Sequence, residues 1–250
     1  MEGPSLYLAR EQLRPFRRQV VLSAGGNTKT IDPAQLVGLQ LKDVFSWGKH
    51  LVLQFDSFAL RFHFLMFGTF EAEVEGKWVT GDYRRSREPR LALAFANGRF
   101  HAYSCSIKII VSKAARKDYD LRIDIMSRKW DERHVSRLLK AQAGEQIADA
   151  LLDQEVFAGV GNIIKNEVLA IAGVRPTRRV RTLSSAKLKA IVRETRAFSK
   201  QFYRWRKKFA LPKHLLTHRK AVCRYCGRKL LRAKTGKRQR WSYWCSQDQI

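Results

Sequence analysis

Residues 153–169 read DQEVFAGVGNIIKNEVL, and the glycine pair inside this stretch marks where a turn hands over to a helix. Gly159 and Gly161 make a tight turn, and the helix that follows begins near Asn162. The first N–H groups of a helix have no acceptor within it, so the turn presents an anion site. Asn162 adds a side-chain donor and Lys165 a charge one turn further on. An ordinary interhelical turn can carry the same four letters GVGN, so the motif needs company before it decides function.

Working outward, the surroundings are helical. Asp131 can cap a helix through ERHVSRLLKAQ, followed by segments through QIADALLDQ, NIIKNEVLAIAG and a long SAKLKAIVRETRAFSKQFYRWRKK. Towards the amino terminus the period changes. In HLVLQFDSFALRFHFLMFGTFEAEV, residues 50–74, Phe58, Leu60, Phe62 and Phe64 alternate with Arg61 and His63, and Asp56-Ser57 can turn the chain. LALAFANGRFHAY places Asn97-Gly98 between two alternating runs, a hairpin signal because this dipeptide tolerates positive φ. LYLAREQLRPF has helical spacing and should pack on the resulting antiparallel sandwich. The expected class is therefore α+β and multidomain, with a β-sandwich over 1–112, a charged linker over 113–130, a helical domain over 131–215 and a cysteine-bearing β-hairpin over 216–250.

Composition narrows the partners. With 250 residues, 45% apolar content, 14 Phe and 6 Trp, the chain can build a core. Its formal charge of +27 calls for a polyanion, with nucleic acid ahead of an anionic membrane, since no apolar run reaches spanning length. The first 20 residues lack the apolar core of a signal peptide, which points to the cytoplasm. Residues 201–250 hold 15 Lys and Arg against the single acid Asp248, yet Tyr203, Trp205, Trp241, Tyr243 and Trp244 are too aromatic for a disordered tail.

Two further patterns carry chemistry. Cys223, Cys226, Cys245 and Asp248 spell C-x2-C-x18-C-x2-D, three soft ligands and one oxygen that can complete a zinc tetrahedron in a module too small to fold on its core alone. A metal-free hairpin is the competing reading, and His218 is another available ligand. Cys105 reads as a small buried apolar residue. At the other end, Glu2 blocks removal of Met1, because aminopeptidases need a small second residue. The α-amine of Met1 then stands beside a carboxylate, and with an ordinary pKa near 8 a usable fraction of it is nucleophilic at neutral pH.

EGPS at residues 2–5, SWGKHL at 46–51, HFLMFG at 63–68, GVGN at 159–162 and the CxxC hairpin occur in an order that resembles formamidopyrimidine-DNA glycosylases and endonuclease VIII-like enzymes. The resemblance covers nearly the whole chain. It implies a β-sandwich, a helix-two-turns-helix domain and a zinc finger. It also implies base-excision repair of oxidised bases in damaged DNA by a monomer, in a bacterial cytoplasm and on its nucleoid. In that family an N-terminal proline attacks C1′ of a flipped nucleotide to form a Schiff base that leads to β/δ-elimination, and the next Glu handles sugar-ring protons. Here Met1 stands where the proline would be, and Glu2 matches the acid. A proline imine is obligately cationic, whereas one formed on Met1 can lose its proton, so strand cleavage is expected to be impaired.

The resemblance further assigns Lys49 to a strand lysine that meets phosphate and damaged nucleotide, and Met66 to the filler of the gap a flipped base leaves. Asn162, Lys165 and Arg240 take phosphate contacts. Ser5 replaces a frequent acid, and the arginine and phenylalanine that enter from the opposite strand are missing from YSCSIKII, leaving Ile107 or Lys108 in their place. The short segment between the long helix and Cys223 has little room for a lesion-capping loop, which leans towards oxidised pyrimidines. Two alternatives remain beside the enzyme: a non-catalytic binder of abasic or damaged DNA, and an RNA-binding zinc protein with exposed stacking aromatics.

Overall fold

The structure, a computed structural model, describes residues 1–80 and 88–250, except for the side chains of Met66 and Thr80. The chain forms two compact units, Met1 with Ser5–Asp120 and Glu2–Pro4 with Leu121–Ile250. Among the described residues no helix is long and apolar enough to cross a membrane.

The first unit is an antiparallel sheet carrying most of helix α1 (Gly3–Leu13). Its strands are β1 (Ser23–Gly25), β2 (Asp43–Trp47), β3 (His50–Gln54), β4 (Ala59–Val74), β5 (Lys77–Thr80), β6 (Leu91–Phe95) and β7 (Gly98–Ile110). They run in the order β1-β6-β7-β4-β3-β2, with β5 paired to β4. One continuous ladder thus supplies both halves of the expected sandwich, because β4 and β7 are long enough to serve both. A single core takes Leu51, Leu53, Phe62 and Phe64 from one half and Phe70, Leu93 and Phe100 from the other, with Leu6, Ala9 and Leu13 of α1. Each large side chain removed from water there contributes roughly 1.5–3 kcal/mol before conformational entropy is subtracted.

Two local details depart from the plain alternation. The β6–β7 hairpin turns on Ala96-Asn97, and Gly98 is already paired with Phe95. Gly98 alone of these three takes a positive φ, of 144°, and a side chain on it would run into the Glu73 carbonyl. Along β4 the register with β7 jumps from Phe64↔Cys105 to Thr69↔Tyr103, so four residues of β4 oppose Ser104 alone. Gly68 permits this bulge, since a Cβ there would lie 2.7 Å from the Ser104 oxygen and from the Leu65 nitrogen.

The second unit is helical up to a terminal hairpin. Its elements are α2 (Glu132–Ala141), α3 (Ile147–Leu152), α4 (Asn162–Ile171), α5 (Ser185–Lys207), α6 (Leu211–His214), β8 (Leu231–Thr235) and β9 (Arg240–Trp244). The Asp131 side chain caps α2 by accepting from the N–H groups of Arg133 and His134, and Ser184 caps α5 by accepting from Lys187. At the centre is α4, with Ile164, Lys165, Asn166, Glu167, Val168 and Leu169 all buried. Three consecutive polar residues in that run are unusual, and each is fully engaged. Glu167 accepts from the N–H groups of Leu216, Thr217 and His218 at 2.6–3.0 Å. Asn166 accepts from Tyr243 N–H, and Lys165 donates to the Trp241 carbonyl and the Ser242 hydroxyl.

Candidate active site

In the sheet unit the site begins at the β2–β3 turn. Trp47 pairs with His50, leaving Gly48 and Lys49 as the two turn residues, with Gly48 at φ 52°. Lys49, expected within a strand, therefore stands at a hairpin tip: the left-handed glycine reverses the chain one residue before it. Beside it, His50 pairs with His63 across β3 and β4, their ring centroids 5.5 Å apart. Burial lowers the His50 pKa to about 4, helped by the charges of Arg61, His63, Lys108 and Lys49. Burial also lowers that of His63, followed by Lys49 and by the Met1 α-amine. The amine and Lys49 thus act on the same imidazole. Both histidines are neutral at pH 7, and the remaining charges, all positive, form a field that favours phosphate.

The bulge in β4 lies further along the same strand. Leu65 is 52% and Phe67 73% exposed, on either side of Met66. The side chain of Met66, the residue expected to fill a vacated base position, lies outside the described residues. The exposed flanking pair was missed in the sequence, where HFLMFG reads as a continuation of the strand; the signal was the run of four apolar residues, Phe64 to Phe67, breaking the alternation. Ile107 is 5% exposed and belongs to the core, which removes it as an inserting residue, whereas Lys108 is exposed. Cys105 is buried, and burial pushes its thiol up to about 12.

In the helical unit the expected anion site at the glycine turn exists, and its occupant is the chain's own Glu2. The Glu2 carboxylate accepts from Ile163 N–H at 2.7 Å and from Ile164 N–H at 3.2 Å, in the first turn of α4. Gly161 is the residue before that helix, and a side chain on it would overlap the Glu2 carboxylate. Gly3 N–H donates to the Gly159 carbonyl at 2.9 Å, and Gly159 takes φ 105°. The glycines are therefore required by close approach and by backbone conformation together. The helix dipole and two unshared N–H groups favour a negative charge at this point.

Asn162 opens α4, and its Oδ1 is shielded with no hydrogen-bond partner among the described residues. Lys165 does not stand on the surface. It is fully buried, its pKa lowered to about 7 by burial and by the Arg240 charge against the pull of Asp149 and Glu2. The expected phosphate contact becomes an internal brace, because one turn along α4 from Asn162 the helix faces β9 instead of solvent. Arg240, the first residue of β9, is exposed. Asp149 of α3 holds the hairpin tip by accepting from the N–H groups of Lys237 and Arg238.

At the base of the hairpin, Cys223, Cys226, Cys245 and Asp248 bring one ligand atom each to within 4.8 Å of one another. Three thiols and a carboxylate in such a cluster fit a tetrahedrally bound metal ion. The module's own apolar core is small, Leu230 with the buried Cys223 and Cys245, which is where a metal adds most to folding. His218 is not part of the cluster: its Nδ1 meets the Asn166 amide at 3.1 Å and its ring rests edge-on against Tyr243.

A sheet unit with a cationic hairpin end, followed by a helical unit whose glycine turn clasps an N-terminal glutamate and braces a cysteine hairpin, is an α+β architecture with known counterparts. The Lactococcus lactis formamidopyrimidine DNA glycosylase, solved non-covalently bound to DNA containing an AP site, superposes with a TM-score of 0.83 at 19% identity, over 100% of this chain and 99% of that one. Residues 123–201 match the formamidopyrimidine-DNA glycosylase H2TH domain. Mouse endonuclease 8-like 3 is 32% identical over 211 residues, 83% of this chain and 34% of that protein. The DNA-(apurinic or apyrimidinic site) lyase Nei2 of Mycolicibacterium smegmatis is 28% identical over 219 residues, covering 84% of this chain and 82% of its own. The chain spans about a third of the length of the endonuclease 8-like 3 relatives it matches. It carries the H2TH domain of the formamidopyrimidine-DNA glycosylase and endonuclease VIII family.

Proposed function

We propose that this protein excises oxidised bases, pyrimidines foremost, from damaged DNA and cleaves the resulting abasic site through a Schiff base on the amine of residue 1. The observation that carries the reading is the clasp on Glu2: a carboxylate one peptide bond from the amine is held on the N–H groups of Ile163 and Ile164. An acid so fixed can serve one position repeatedly, which is what general acid–base work on a sugar ring needs.

The neutral Met1 amine forms a bond to C1′ as the base departs with its bonding electrons and takes up a proton. Glu2 takes the proton that the amine loses on bonding and passes it to the ring oxygen as the C1′–O4′ bond breaks and the sugar opens, giving an iminium. Loss of a C2′ proton then expels the 3′ phosphate, and a second elimination expels the 5′ phosphate. Lys49 supplies positive charge to the phosphate and the damaged nucleotide. Met66, flanked by the exposed Leu65 and Phe67, fills the space left by the flipped nucleotide. Asn162 and Arg240 contact backbone phosphates, while Lys165 holds the strand that carries Arg240. The metal is a single zinc, bound by Cys223, Cys226, Cys245 and Asp248, which supplies structure to the hairpin and no chemistry to the reaction. The protein works as a monomer on the bacterial nucleoid, in keeping with its bacterial relative.

Borohydride reduction in the presence of abasic-site DNA tests the reading. A covalent adduct is expected, peptide mass mapping should place it on residue 1, and acetylation of the amine should abolish it. An adduct on Lys49 would move the nucleophile. Tight binding of abasic DNA with no adduct would make the protein a non-catalytic binder.

A further inference from the structure

The corner after α5 lies beyond the segment that matches the H2TH domain and outside every residue given a part in the reaction above. Helix α5 ends at Lys207, and Phe209 follows at φ 54° with 80% of its surface exposed. Left-handed backbone two residues past a helix is a place for glycine, and a bulky side chain is disfavoured there. The position is nevertheless well held. Phe209 N–H donates to the Arg206 carbonyl at 3.1 Å, and the N–H groups of Lys208 and Ala210 both donate to that of Trp205. The Trp205 ring stacks on His214 of α6 at 4.4 Å and 5°, closing the corner from the other side. A fixed backbone therefore presents an aromatic ring to solvent in a conformation the ring itself opposes. Within five residues of it along the chain Arg204, Lys207, Lys208 and Lys213 are exposed, and no acid occurs between Gln201 and Lys220.

An exposed aromatic face in a stretch of exposed cations without acids complements a polyanion with exposed π-faces. In a duplex the bases already stack on one another. Unpaired bases do not, and they bind aromatic platforms with little regard to sequence. We propose that the α5–α6 corner is a single-stranded nucleic-acid site, in which Phe209 stacks on an unpaired base and these cations hold its phosphates. It rests on the proposed reading for the choice of nucleic acid as partner, and adds a contact that the Schiff-base chemistry does not require.

The test uses Phe209→Gly, Phe209→Tyr and Lys207→Gln in the full chain. Anisotropy is measured with a lesion-free single-stranded oligonucleotide and with the same sequence as a duplex, across salt. Phe209→Gly should raise the melting temperature by relieving the backbone, yet weaken single-strand binding about tenfold and duplex binding far less. Phe209→Tyr should bind as the parent does. Lys207→Gln should lower the slope of log K against log salt by about 0.7 on the single strand, while Phe209→Gly leaves that slope unchanged. Parent-like single-strand affinity for a folded Phe209→Gly protein overturns the proposal. So does a finding that Phe209 instead governs self-association in sedimentation or binding to phosphatidylglycerol vesicles. Borohydride trapping on abasic DNA, measured with the same variants, should remain; its absence in the parent protein would instead defeat the enzymatic reading.

Discussion

Each of the two units is stabilised internally by different means. In the sheet unit, the ladder satisfies the backbone and an aromatic core supplies the stability, while the polar cluster of Lys49, His50 and His63 lies where the start of β3 meets the interior of β4. In the helical unit, carboxylates act as clips on backbone N–H groups far away in sequence. Glu167 holds residues 216–218, Asp149 holds 237 and 238, and Glu2 holds 163 and 164. Hairpins and short helices leave many backbone donors unpaired, and a basic chain needs fixed negative groups to receive them. The difference teaches that the same fold can be robust to polar change in one part and dependent on single carboxylates in another.

The sharpest way to break that comparison is to remove one clip and one core side chain. Glu167→Ala leaves one buried and two half-buried N–H groups without their acceptor, and a loss of roughly 4 kcal/mol is expected in urea unfolding. Leu60→Ala, at a position with no exposure, should cost roughly 3 kcal/mol through a cavity. If Glu167→Ala were nearly neutral while Leu60→Ala were not, the clips would be incidental and both units would be core-driven.

Acid and alkali distinguish the units next. His50 takes its proton near pH 6.5 when unfolded and near 4 when folded, so the unfolded state binds more protons in between. Stability present above about 6.5 should fall by about 3 kcal/mol as the pH drops to 4, and His50→Gln should flatten that limb. Lys165 is also lowered, to about 7, with the unfolded side chain near 10.4. Its burial therefore weighs fully on the fold below pH 7 and is relieved as the pH rises towards 10. Against Lys165→Met, the parent should gain up to about 1.4 kcal/mol per pH unit in that window. Urea midpoints across the two ranges check both. A Lys165→Met protein whose deficit or surplus does not vary with pH would contradict a deprotonating lysine.

These contrasts also explain what the sequence revealed. Alternation over residues 50–74 and 91–103 exposed the strands because a two-sided sheet writes its period into the apolar residues. The glycine turn and the cysteine spacing were equally legible, since both depend on local geometry. The occupant of the turn was not: GVGN announces unpaired N–H groups, but nothing local says that the anion comes from residue 2. Lys165 misled for the same reason. A lysine on a helix in a basic chain reads as surface, and its burial depends on a strand 76 residues away. The bulge at Leu65–Gly68 was hidden because its cause, Gly68 against Ser104, joins two strands.

Glu2→Gln gives the smallest change in stability and the most specific one in function. The amide keeps the shape of the side chain and one acceptor oxygen, so one of the two α4 N–H groups retains a partner while the other faces an NH2 group. A loss of about 1 kcal/mol is expected. Catalysis should respond unevenly. Opening of the sugar in the course of base excision needs a proton delivered to the ring oxygen, which an amide cannot supply; a preformed abasic site already exists in part as the open aldehyde and needs only the amine. Base excision should therefore fall by roughly 100-fold or more, while borohydride trapping on preformed abasic DNA falls much less. Gly161→Ala provides the geometric counterpart, since its methyl group would displace the carboxylate without altering its chemistry. Parallel measurement of excision and trapping in the two variants locates the effect. If Glu2→Gln lowered both activities equally, the carboxylate would serve only to place the first residue, and the clip on α4 would be structural like those of Glu167 and Asp149.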